Sequence, residues 1–97
     1  MNLGKTITTL RQKKNLKQTE MADMLGITHT YLSQVENNHK TPNVALLEKI
    51  AKTLNTPLPF LFFFAVDEKD IPEHKAAHFR MIEPLIKQFL TDLMAIE

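Results

Sequence analysis

Between Gln18 and Asn38 the chain sets a small residue, Ala22, four positions before a glycine, Gly26, and follows it with apolar Ile27, Leu32 and Val35. No other segment constrains the fold as much. A glycine takes a positive φ at little cost, so Gly26 can turn the chain sharply between two short helices. Ala22 lets those helices approach closely, and Ile27, Leu32 and Val35 tuck the second against the first. His29, Thr30, Ser33 and Gln34 are left pointing outward. Two helices crossed in this way hold the second at an angle that fits the DNA major groove, which is about 12 Å wide.

The rest of the chain also reads as helix. Few segments alternate with period two, and Gly and Pro fall at boundaries rather than in regular hairpin turns. A first helix is expected over about Leu3 to Lys14, with Ile7 and Leu10 on its inner face. Asn15 ends it, since Asn tolerates the left-handed conformation that helix ends require. The second helix covers about Gln18 to Leu25, and the third about His29 to Asn37 with Thr28 as its N-cap. After a polar loop at 38–42, Asn43 caps a fourth helix reaching about Leu54, where Leu46, Leu47, Ile50, Ala51 and Leu54 recur at helical spacing. The TPLP segment then precedes a short, very apolar fifth helix containing Leu58 and Phe60 to Phe64.

The charged stretch 67–72, DEKDIP, is the candidate linker between a domain over residues 1–66 and a C-terminal element over 73–97. Roughly Glu73 to Ala95 reads as one longer helix. Pro84 inside it either kinks it or marks the first turn of a separate helix.

Ninety-seven residues suffice for one domain with a short appendage, and a hydrophobic content of 43% argues against disorder. Having no cysteine excludes disulfides and thiolate zinc sites and suits the cytoplasm. The start of the chain lacks a signal-peptide pattern. The longest apolar run, Phe60 to Val66, falls far short of the ~20 residues that span a bilayer, so a soluble protein with no membrane contact is expected. Net charge is only +1, but unevenly placed: eight basic against four acidic residues in 1–56, and four against seven in 57–97. Phosphate contact would come from the first segment. His74 and His78 share a helix face, yet zinc would want further ligands and only Glu73 is near in sequence, so no metal site is expected. No phosphate loop, nucleophile motif or paired carboxylates with a pocket is visible. Neither an enzyme nor a cofactor is expected.

Residues 10–54, LRQKKNLKQTEMADMLGITHTYLSQVENNHKTPNVALLEKIAKTL, resemble the Cro/C1-type, lambda-repressor-like (XRE) helix-turn-helix family. The likeness covers about Leu3 to Phe62 and joins Arg11, LKQTEMA, Gly26, YLSQVEN, Pro42 and IAKTL. It implies an all-α, five-helix DNA-binding domain, here with an additional C-terminal helix, that usually binds operator DNA as a dimer. Two positions depart from the pattern. Lys17 stands where the family has Ser or Thr, so the capping box with Glu20 should be lost at a cost of about 1 kcal/mol. Asn38 replaces a glycine, a milder change because Asn also accepts positive φ.

The third helix would carry base recognition. Gln34 can pair bidentately with adenine N6 and N7, His29 can donate to guanine N7 or O6, and Thr30 offers a methyl to thymine and a hydroxyl to an acceptor. Ser33 is small enough to let the helix sit deep. The resemblance places Gln18 against a backbone phosphate, where helix-start N–H groups favour an anion. Tyr31 either reaches the backbone or covers the second helix. Asn37, Asn38 and Lys40 would grip phosphates, giving affinity without sequence information. For Arg11 and Glu36 the resemblance implies a buried, purely structural salt bridge.

In the C-terminal element Ile82, Ile86, Phe89, Leu93 and Ile96 make an apolar seam that Leu85, Leu90 and Met94 widen. It either folds back over the Phe60–Phe64 cluster or pairs with a second copy. Six phenylalanines exceed what a 60-residue helical core usually needs, which favours dimerisation. The expectation is a sequence-specific regulator, more a repressor than an activator, on a palindromic operator with half-sites about 34 Å apart. The alternative is an antitoxin or other protein-interaction module with secondary DNA binding.

Overall fold

The computed structural model describes residues 1–95. Six α-helices follow one another: α1 Leu3–Lys13, α2 Gln18–Leu25, α3 His29–Glu36, α4 Val44–Thr53, α5 Leu58–Ala65 and α6 Ala76–Ala95. Single 3-10 turns at Glu68–Asp70 and Glu73–Lys75 lie between the last two, and no strand occurs among the described residues.

Local chemistry sets the helix ends. Each of the first four helices is followed by a residue in the left-handed region: Asn15 (φ 57°), Gly26 (φ 70°), Asn38 (φ 61°) and Asn55 (φ 50°). Glycine and asparagine take this conformation more readily than other residues. At the starts of α1, α3 and α4, side-chain oxygens of Asn2, Thr28 and Asn43 accept the N–H groups of Lys5, Tyr31 and Leu46. Helix α2 corrects the expectation of a lost capping box. A Lys side chain has no acceptor, but the Glu20 carboxylate still takes the Lys17 N–H at 2.8 Å, so half of the reciprocal arrangement survives.

The core forms where α1 packs on α3 and α5, α2 on α3 and α4, and α4 on α5. Ile7, Met21, Leu32, Ile50, Leu54 and Leu61 are fully buried there. Each such side chain contributes about 1.5–3 kcal/mol by leaving water. The start of α1 is also tied to the end of α5: Asn2 N–H donates to the Ala65 carbonyl at 2.7 Å, and the Thr6 hydroxyl to that of Phe64. Gly4 sits where α1 meets the end of α3. A Cβ there would lie 2.4 Å from the Glu36 carbonyl oxygen and 2.7 Å from that of Val35.

Part of the expected linker is ordered as a capped turn. The α-amino group of Met1 pairs with Asp70 and Asp67. The hydrogen bond to Asp70 raises the amine's pKa, and the same contact lowers that of Asp70.

Helix α6 runs through Pro84, which therefore starts no separate helix; it lacks only the N–H that would reach the Arg80 carbonyl. No described residue of α6 is buried. Phe79, Glu83, Lys87, Leu90 and Met94 are half-buried on the side that packs on α5. Ile82, Leu85, Ile86 and Phe89 face outward, with Leu85 71% and Phe89 61% exposed, whereas Leu93 lines a cavity with Ala51, Phe60 and Met94 beside α4 and α5. The predicted seam is thus divided: Leu90, Leu93 and Met94 lie toward the domain, and Ile82, Leu85, Ile86 and Phe89 do not. Ile96 lies outside the described residues. Among the described residues no helix is long and apolar enough to cross a membrane, and no cluster of side chains is arranged to hold a metal ion.

Candidate nucleic-acid interface

Helix α3 is positioned by its inner face. Leu32 and Val35 are buried against α1 and α2, and Thr28 fixes the first turn. With those positions committed inward, helical geometry turns Thr30, Ser33 and Gln34 away from the core. Thr30 is exposed, Ser33 and Gln34 are half-exposed, and none of their side chains donates into the core. Tyr31 is half-buried, with its ring packed against the core.

A polar chain ties this helix to α1 and α2. Arg11 Nε donates to Glu36 Oε2 at 2.7 Å and Nη2 to Oε1 at 3.0 Å, while Nη1 holds the Leu16 carbonyl at 2.8 Å. Both residues are buried, as the resemblance implied. Gln18 then joins the pair: its Nε2 donates to Glu36 Oε1 at 3.0 Å, and its Oε1 meets His29 Nε2 at 2.5 Å. Nothing in the sequence signals these contacts, because Gln18 and Glu36 are far from helical spacing. One N–H of the Gln18 amide stays available to a phosphate at the start of α2, where the helix dipole also favours an anion.

The loop after α3 holds the remaining candidates. The Gln34 carbonyl accepts the N–H groups of His39 and Lys40, which folds the chain back and leaves the Lys40 side chain exposed. Asn37 Nδ2 donates to the Ser33 carbonyl at 2.8 Å. Asn38 is drawn to α1 instead: its Oδ1 accepts the Gly4 N–H at 2.9 Å and its Nδ2 donates to Asn2 Oδ1 at 2.8 Å. Its side-chain amide is therefore engaged within the fold. Asn2 and Gly4, which complete this junction, were not among the residues singled out from sequence.

The sequence profile of the helix-turn-helix family matches residues 7–61, more than half of the chain. The chain belongs to this family. The all-α, lambda-repressor-like architecture of this helix-turn-helix protein is the one that the resemblance implied. It is 46% identical over 59 residues to the ImmF control region 10 kDa protein of Bacillus phage phi105, covering 61% of this chain and 66% of that one. Against the HTH-type transcriptional regulator SinR of Bacillus subtilis (strain 168) it is 29% identical over 90 residues, covering 92% and 78%. Against the HTH-type transcriptional regulator SutR of Escherichia coli (strain K12) it is 38% identical over 55 residues, covering 57% and 31%. The chain thus spans just under two thirds of the phage protein and less than a third of SutR.

Proposed function

We propose that this helix-turn-helix protein is a cytoplasmic transcriptional repressor that binds a palindromic operator as a homodimer. The observation that carries the reading is the outward row of α3, held in place by a buried core on one side and the Arg11–Glu36 pair at its end. Gln34, Thr30, Ser33 and His29 read bases, and Gln18, Tyr31, Asn37, Asn38 and Lys40 lie along the phosphate backbone, Asn38 through its main chain. The names of the matched phage control-region protein and of the SinR and SutR regulators support a regulatory role. Residues 1–66 form the DNA-binding domain, 67–72 join it to the rest, and 73–97 supply the dimer contact through Ile82, Leu85, Ile86, Phe89, Leu93 and Ile96. An exposed face with that much apolar side chain usually marks an interaction surface.

Selection of bound duplexes from a random pool tests this, run in parallel on Gln34→Ala. Enrichment of a two-fold-symmetric motif, relaxed at one symmetric base pair in the variant, is expected. Weak, salt-sensitive binding without enrichment would overturn it, and would favour a module that uses α6 to hold a different protein.

A further inference from the structure

The hydrogen-bond chain that starts at the buried salt bridge ends on a candidate base reader, and its polarity is set by chemistry. A carboxylate only accepts, so Glu36 Oε1 can hold Gln18 only through the amide nitrogen. That turns the Gln18 oxygen toward His29. An amide oxygen also only accepts, so the proton between them sits on His29 Nε2. A neutral imidazole has one ring proton, which leaves Nδ1 as an acceptor. Nδ1 has no hydrogen-bond partner among the described residues, and His29 is exposed at the first position of α3. That is the end of a recognition helix that enters the groove.

We infer that Glu36, acting through Gln18, fixes His29 as a hydrogen-bond acceptor toward DNA, so that His29 selects a base carrying an exocyclic amino group. In the major groove these groups are adenine N6 and cytosine N4. Guanine and thymine present O6, N7 or O4 at that edge, all acceptors that face an unprotonated Nδ1 unfavourably. Residue type alone suggested donation to guanine; the orientation of Gln18 reverses it. Glu36 and Gln18 are positioning residues here, and the salt bridge has a role in specificity as well as in stability. The inference rests on the DNA-binding reading above, and its test separates the two.

The test has two arms on the full chain. The first is the ¹⁵N spectrum of the His29 ring in the free protein at about pH 8.5, above the ordinary histidine range. Nε2 should appear protonated and Nδ1 unprotonated. In Gln18→Lys the ammonium can donate to both Glu36 and His29, and the ring proton should move to Nδ1. The second arm is duplex selection with both proteins. Adenine or cytosine should be preferred by roughly five- to tenfold at the base pair that His29→Ala relaxes, and Gln18→Lys should turn that preference toward guanine or thymine. A ring proton on Nδ1 in the parent protein, or a parent preference for guanine at that pair, would overturn the inference while leaving DNA binding intact. Failure to enrich any duplex would remove the regulator reading and the base assignment together, whatever the ring spectrum shows.

Discussion

Arg11 and Glu36, 25 residues apart in sequence, meet through two hydrogen bonds, Nε to Oε2 and Nη2 to Oε1, and both residues are buried. A buried pair of this kind is costly to break from one side, because the remaining charge stays desolvated. Arg11→Leu should therefore destabilise the protein by about 3–5 kcal/mol, read from urea unfolding. The double variant Arg11→Leu/Glu36→Leu should lose less than the single one. A double variant that loses more would show that the pair contributes stability beyond the removal of a stranded charge.

The junction of α1 with α3 makes two glycines differ in an unexpected way. Gly26 has a positive φ but open space around its Cβ position, whereas Gly4 has a helical backbone and two carbonyl oxygens in the way. Gly26→Ala should cost about 1 kcal/mol from the left-handed conformation alone. Gly4→Ala should cost more, about 2–3 kcal/mol, since backbone must move to admit the methyl group. Equal losses in thermal unfolding would contradict the close approach at Gly4.

Helix α2 retains only the Glu20 half of its reciprocal cap. Lys17→Ser restores a side-chain acceptor at the N-cap and should stabilise the protein by about 0.5–1 kcal/mol, while Glu20→Ala should cost a similar amount. Both are measurable as shifts in Tm. A Lys17→Ser protein no more stable than its parent would mean that the first turn of α2 is already satisfied.

The outward side of α6 can be altered without touching the core. Leu85 and Phe89 are mostly exposed in the single chain, so Leu85→Ser/Phe89→Ser should leave its unfolding midpoint nearly unchanged when the chain is monomeric. Sedimentation equilibrium should show the dimer weakened by tenfold or more, on the order of 1.4 kcal/mol. A parent protein that stays monomeric at high concentration would remove the dimer contact from this helix.

The helix boundaries were largely legible in sequence. Gly26, Asn15, Thr28 and Asn43 act within four residues of themselves, through φ preference or a cap to a nearby N–H, so their effects need no knowledge of the fold. The core of α4 was equally legible, because Leu46, Leu47 and Ile50 repeat at the helical period. Asn38 was only half legible: its positive φ followed from residue type, but its amide's destination at Gly4, 34 residues away, did not.

By itself, then, the sequence determined which segments are helical, which face of α3 is polar, and which family the chain resembles, since all three rest on short-range pattern. The tertiary structure alone decided that Gly4 meets a carbonyl of α3, that Gln18 turns its oxygen toward His29, and that the apolar residues of α6 divide between an inner and an outer face. Each of those depends on groups brought together from distant parts of the chain, where burial and hydrogen-bond direction, rather than local propensity, choose the arrangement.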